Sequence, residues 1–341
     1  MVIGTCDSMC SQHEISLRKD CKRVTAFEWK ESLFVKEYSR SAAGRTIKAE
    51  EIRTPSGLNM TLKHLLENVL DIAKHKENLI VTMDFITDRL RAVRQDIVIQ
   101  RLPGAIAVPM LEKIVRYHIY INYVLKEAEA HHFDPAMNDT LLNTYICNLL
   151  EYYDIDRLQK QSFEDEVEFR SYFVLLNMSN SLTVIQALKW FHLLSKANEQ
   201  RKELQTALDL CKAYNLRNFF KFFAITSNLT FLQSCCLLRT FTRLRIEFLD
   251  VINTAYSSKH FSFPLHKLQI WLRLDSVNDV GYFLGLCGHD AKNDSVTFNK
   301  NHKQTVSLIS LQKCTGIISY TDLVETRLGA DLTPCQIVNS S

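Results

Sequence analysis

From residue 58 to residue 256 the apolar side chains recur at spacings of three and four, segment after segment, which is the period of an α-helix. The stretch LNMTLKHLLENVLDIAKHK sets Leu58, Leu62, Leu65, Leu66, Val69, Leu70 and Ala73 on one face. VTMDFITDRLRAVRQDIVIQ does the same with Phe85, Ile86, Leu90, Val93 and Ile97. MLEKIVRYHIYINYVLKEAEAHH follows with Leu111, Ile114, Val115, His118, Ile121 and Leu125, and Pro103, Gly104 and Pro109 are expected to separate these two helices. Between 138 and 256 five more such segments alternate with short polar breaks. The 341 residues contain 9 glycines and 6 prolines, too few for the many tight turns of an all-β chain. The pattern predicts an all-α fold of helical hairpins stacked as a TPR-like or PCI-type solenoid, each pair burying its apolar face against its neighbours.

The two ends read differently. Residues 1–57 are charged and weakly periodic and are expected to lie as an extended arm on the helical body. Thr54 and Pro55 mark a helix start, since proline is tolerated in a first turn. After 257, FSFPLHKLQIWLRLDSVNDVGYFLGLCGHDAKNDSVTFNKN reads as strand, helix, turn, helix, turn, strand. Pro264 ends the first strand, Leu265, Leu268, Ile270 and Leu272 carry the first helix, and Asp275 or Ser276 caps the second. That order fits a small winged-helix subdomain over 257–325, with 326–341 left as a polar tail. No apolar run approaches the ~20 residues of a membrane span, so no membrane insertion is expected. The N-terminus, with Asp7 and Glu14, does not read as a signal peptide.

The formal net charge of +3 excludes a bulk polybasic nucleic-acid binder and allows a local basic patch. The C-terminal region supplies a candidate patch in Lys259, His260, His266, Lys267, Arg273, Lys292, Lys300, His302 and Lys303, with few acids between 256 and 274. Such side chains make phosphate contacts that position a nucleic acid without reading its sequence. NFFKFF (218–223) has the aromatic and basic vocabulary of base stacking. At helical spacing it reads instead as core, with Lys221 as its exposed residue. TRLRIE (242–247) with Arg239 forms a basic helix face, either solvated or a groove for an acidic partner.

Other candidates have structural readings beside the chemical ones. Cys6, Cys10 and His13 offer three soft ligands, and a zinc site needs a fourth, for which Cys21 is nearest. No second tight pair is present, so the expectation is no metal, with Cys6, Met9 and Cys10 packing as small apolar anchors. Arg89 and Arg94 flank the apolar stripe of their helix, and Arg91 points away within reach of Asp88. With Asp84, Asp88 and Asp96 on the same helix, structural pairing outweighs an RNA-binding reading. His118 reads as a core histidine, and His131 with His132 ends a helix where positive charge suits the dipole. No P-loop, dinucleotide turn, nucleophile elbow or HExxH is present, so no enzyme and no cofactor are expected.

Several blocks in order carry a resemblance: GTCDSMC with HE and Arg18 (4–18), VKEYSRSAAG (35–44), RTPSGLNMTLKHLL (53–66), DFITDRLRAVRQDIVIQ (84–100), EKIVRYHI (112–119), EFRSYFVLL (168–176) and NLRNFFKFF (215–223). The chain resembles the Sac-three/GANP (leucine permease transcriptional regulator-like) family, over nearly its whole length. Ser11 stands where family members usually have proline after the second cysteine. The resemblance implies helical hairpins ending in a winged helix and a non-enzymatic scaffold, joined by a second PCI-domain protein and a small acidic Sem/DSS-type peptide. It also implies RNA contact on the winged helix, in nuclear messenger-RNA export or processing. Motif residues expected to hold structure or partners are Cys6, Cys10, Glu14, Arg18, Arg89, Arg91, Arg94, Asp96, Arg116 and His118. No phenylalanine-glycine repeats, RNA-recognition domain or acetyltransferase-like region accompany them, so the chain looks most like the short animal members. Those are linked to centrosome duplication and the spindle, which keeps centrosomal partners as the alternative reading.

Overall fold

The computed structural model describes residues 2–29, 33–39, 48–72, 79–128, 132–194, 201–299, 320–321, 323–328 and 332–339. Helices dominate: α1 (Gln12–Asp20), α2 (Ala26–Trp29), α3 (Pro55–Lys63), α4 (Leu70–Ile72), α5 (Leu79–Gln100), α6 (Gly104–Val124), α7 (Pro135–Leu158), α8 (Glu166–Leu176), α9 (Ser181–Leu193), α10 (Arg201–Asn215), α11 (Phe219–Ile225), α12 (Phe231–Cys235), α13 (Leu238–Ala255), α14 (Leu265–Leu272) and α15 (Val277–Leu286). The β component is one small sheet of β1 (Phe263–Pro264), β2 (Ala291–Lys292) and β3 (Ser295–Val296) in the order β1-β3-β2, antiparallel throughout. The all-α fold class predicted from periodicity is therefore the observed one. Contacts divide the chain into one unit of Met1–His118, Cys147–Ser162 and Leu332–Ser341 and a second of Ile119–Ile146 and Phe163–Asp331.

In the first unit, Thr54 caps α3 by accepting the Gly57 N–H, with Pro55 at the first helical position as expected. One π-helical stretch, His64–Val69, joins α3 to α4. Leu58, Leu62, Leu65, Leu66, Val69 and Leu70 are all buried, the face that their spacing predicts. Ala73 lies outside the described residues. In α5 the five stripe residues from Phe85 to Ile97 are buried, as are the six predicted for α6. Pro109 does not separate these helices. Helix α6 starts at Gly104 and runs through it. At the sixth helical position the proline forfeits the bond its missing N–H would have made and crowds the carbonyl of the preceding turn, and the helix continues past it all the same. The terminal segment forms the helix Pro334–Asn339, which packs beside α4 with Ile337 and Val338 buried.

In the second unit α8 and α9 pack on α10, and α10 on α11, in helical pairs. The segment from α13 onward is built by local rules. Ser276 and Asp279 form a reciprocal capping box at the start of α15. Arg273 adopts the left-handed conformation (φ 52°) that ends α14. Arg245, fully buried in α13, donates to the carbonyls of Leu272 and Arg273 and satisfies that helix end. Asn293 and Asp294, at φ 49° and 53°, make the two-residue turn between β2 and β3. β3 is shorter than SVTFNKN led one to expect, ending at Val296.

Candidate functional site

The N-terminal residues are fastened to α5 by charges that are themselves buried. Asp96 is fully buried and accepts from Arg53 Nε at 2.8 Å, from the Arg53 backbone N–H at 3.3 Å and from Lys36 Nζ at 2.7 Å. One helical turn on, Gln100 accepts the Gly4 N–H at 2.9 Å and donates to the Arg53 carbonyl at 2.9 Å. Gly4 has no room for a side chain there, since a Cβ would sit 2.5 Å from the Ile52 carbonyl oxygen. Cys6 then pairs with the backbone around Arg53, donating its N–H to Ile52 and accepting from Thr54.

A second knot joins α1, α2 and the N-terminal half of α5. Arg18 and Glu28 are both fully buried and form an ion pair, and Arg18 Nη1 also donates to the Val35 carbonyl at 3.0 Å. Arg89 reaches Glu28 and Glu37 at 3.4 Å each, pairs with Asp88, and lies over the Phe85 ring at 4.6 Å. Burial pushes the Glu28 carboxyl up, but the Arg18 hydrogen bond and the Arg89 charge outweigh it and hold the acid below its usual range. Arg18 is correspondingly raised: burial lowers it and Glu28 more than restores it.

The extended stretch 35–38 threads between these knots. Its successive amides are taken by Glu28 (3.1 Å), the Met9 carbonyl (3.0 Å), Glu14 (2.8 Å) and Asp88 (3.2 Å), and Gln95 donates to the Ser39 carbonyl at 2.9 Å. Beside it lies a cavity of about 220 Å³, lined in part by Ser11, Glu14, Arg23, Lys36, Glu37 and Gln95. Its lining carries both signs of charge, with His13 among the residues on its wall.

Of the predicted motif residues, Glu14, Arg18, Arg89 and Asp96 thus converge on one network. Arg91 covers the Tyr38 ring at 4.1 Å, while Asp88, its expected helical partner, binds Arg89 and the Tyr38 amide instead. Arg94 is half-buried, within electrostatic reach of Tyr152. Arg116 and His118 are buried in α6, away from any cavity lining named above. Cys6, Met9 and Cys10 are buried, burial drives the Cys10 thiol upward, and Cys6 Sγ meets Ser8. His13 and Cys21 are exposed. Among the described residues no three His, Cys, Asp or Glu side chains come together as a metal would require. The sequence reading missed Glu28, Lys36, Glu37, Arg53 and Gln100. All but Glu28 fall inside the blocks that carried the resemblance, and a charged residue within an otherwise apolar block was the signal available.

In the second unit, Lys259 and Lys267 are exposed, Lys292 is exposed on β2, and Arg273 is half-buried at the end of α14. Lys300, His302, Lys303 and His131 lie outside the described residues. Two sequence expectations fail here. Ile270 is 67% exposed, because the eight-residue α14 buries Leu265, Leu268 and Leu272 along one line and position 270 falls opposite it. Phe220 is 54% exposed although Phe219, Phe222 and Phe223 are buried, so Lys221 is not alone on the outer face of α11.

No helix among the described residues is long and apolar enough to cross a membrane. A family model described as the SAC3/GANP family matches residues 9–293. Protein xmas of Drosophila melanogaster is 29% identical over 269 residues, covering 75% of this chain and 13% of that protein. SAC3 family protein B of Arabidopsis thaliana is 26% identical over 292 residues, 81% of this chain and 17% of its own length. SAC3 family protein 1 of Schizosaccharomyces pombe is 27% identical over 328 residues, 89% of this chain and 31% of its own. The chain therefore spans less than a third of the length of each of these relatives.

Proposed function

Because the chain belongs to the SAC3/GANP family, we propose that it is a non-enzymatic scaffold acting in messenger-RNA export or processing, in nucleus and cytoplasm. In this reading the helical body (58–256) recruits a second PCI-domain protein and a small acidic Sem/DSS-type peptide. The region 257–325 is a winged helix that holds RNA through Lys259, Lys267, Arg273, Lys292 and Lys300.

The observation that carries the RNA part is the C-terminal module. Its elements follow the order β1-α14-α15-β2-β3, with a three-stranded antiparallel sheet. No Asp or Glu occurs between Asp250 and Asp275, while Lys259 and Lys267 stand exposed in that interval. Uncompensated lysines on a small rigid module attract a phosphate backbone and release its counterions, so binding should fall steeply with salt. The buried ion-pair network supports a scaffold rather than a catalyst, since its charges are consumed in holding the N-terminal residues.

The test is affinity purification of the tagged chain from dividing cells, with and without ribonuclease, followed by mass spectrometry. Recovery of a PCI-domain protein, a small acidic peptide and RNA-dependent export factors is the expected result. Spindle-pole proteins that persist after ribonuclease, with no RNA-linked partners, would replace this reading with the centrosomal one.

A further inference from the structure

We infer that Phe220, Trp271, Tyr256 and Phe261 form a stacking platform for the unpaired bases of single-stranded RNA. The inference deepens the RNA reading above and rests on it. The four rings follow one another across α11, α14, the end of α13 and the approach to β1. Phe220 meets Trp271 edge-on at 5.1 Å, Trp271 lies 6.0 Å from Tyr256, and Tyr256 stacks on Phe261 at 6.1 Å. Phe220, Tyr256 and Phe261 are 54%, 38% and 44% exposed, and Trp271 is half-buried.

A buried second row holds them in place. Phe248 lies 4.9 Å beneath Phe220, Phe219 stacks on Phe248 at 5.0 Å, and Phe263 contacts Trp271 at 5.2 Å and Tyr256 at 4.8 Å. Burial explains the second row. It does not explain why four large rings continue outward with faces left in water, next to the 67%-exposed Ile270. Rings fixed from behind lose little freedom when a base stacks on them.

Charge selects the occupant. Between Asp209 and Glu247, and again between Asp250 and Asp275, the chain contains no acid. Lys221, Lys259 and Lys267 are exposed in those intervals, and none of them enters an ion pair among the described residues. Glu247, the acid next to Phe248, is met by Arg217 at 3.8 Å and Arg243 at 3.4 Å. Lysine is depleted in protein–protein interfaces, whereas rings interleaved with lysines are the makeup of a single-strand site. A duplex keeps its bases stacked on each other and can offer this surface only phosphates. The platform therefore discriminates by strandedness, with little preference for sequence.

The chain has three tryptophans, Trp29, Trp190 and Trp271. A variant with Trp29→Phe and Trp190→Phe leaves Trp271 as the only indole. Titrating it with an oligouridylate of about 12 nucleotides, and with a duplex RNA of matched length, should quench its emission with the single strand only. Phe220→Ala and Phe261→Ala, each checked by circular dichroism, should each weaken single-strand binding on the order of tenfold and leave duplex binding unchanged. Salt-sensitive RNA binding without quenching or dependence on the rings would overturn this inference while leaving the RNA reading intact. Absence of binding to either RNA would overturn both. Loss of a co-purified protein partner in Phe220→Ala, with RNA binding intact, would reassign the platform to a protein.

Discussion

Residues 2–39 and the region from Tyr256 to Asn299 are both short of helix and are held by different chemistry. The first is fastened by Arg18, Glu28, Arg53, Arg89 and Asp96, each with at most 4% of its surface exposed. The second is fastened by Phe263, whose ring contacts those of Tyr256, Trp271 and Phe298. Ion pairs and amide–carboxylate bonds are directional, so the first region has one register, fixed residue by residue. Their cost is desolvation, and removing one partner strands the other in a dry site. Ring contacts carry no such penalty and permit partial exposure, so the second region keeps apolar surface free for use.

Asp96→Ala should show the largest effect, because it strands buried Arg53 and half-buried Lys36 together. A loss of about 3–5 kcal/mol is expected, read by urea denaturation. If Asp96→Ala cost no more than a surface substitution, the contrast between the two regions would collapse. Phe263→Ala should come next, at about 3 kcal/mol for an aromatic core truncation, with the loss confined to protection of 256–299 in hydrogen exchange.

Acid sharpens the contrast further. Glu28 has a folded-state pKa below its ordinary value. Its contribution is therefore complete above the ordinary glutamate range and disappears as pH falls through the lowered value. Amides of 35–39 should lose protection over that window while those of α14 and α15 do so later. Simultaneous loss would break the comparison. At the small end, Arg217→Ala removes a pair whose partners are 64% and 35% exposed. Solvent screening leaves it worth well under about 1 kcal/mol, and added salt should erase what remains.

The helices were legible because a stripe such as Phe85, Ile86, Leu90, Val93 and Ile97 repeats locally. The cap of α15 was legible to within one residue, Asp275 or Ser276, and the structure takes Ser276, with Asp279 completing a box the sequence reading did not name. The ion-pair network was not. Arg53 and Asp96 are 43 residues apart, and Arg89 and Glu28 are 61 apart. Periodicity says that Arg89 flanks a buried stripe, but only the fold says which acid it meets. Ile270 and Phe220 failed for the opposite reason. Short helices have a narrow buried line, so an apolar residue one step off it faces water.

The stretch 35–38 has a consequence for how the chain can be cut. Its amides are claimed in turn by Glu28, Met9, Glu14 and Asp88, so none of these four N–H groups is left for another molecule. Three of those four acceptors belong to residues 9–28. A fragment beginning near residue 30 would retain the strand and lose most of what covers it. A chain trimmed to residue 30 bares most of those amides as an unpaired edge, and it should elute from size exclusion as a larger species than the intact chain.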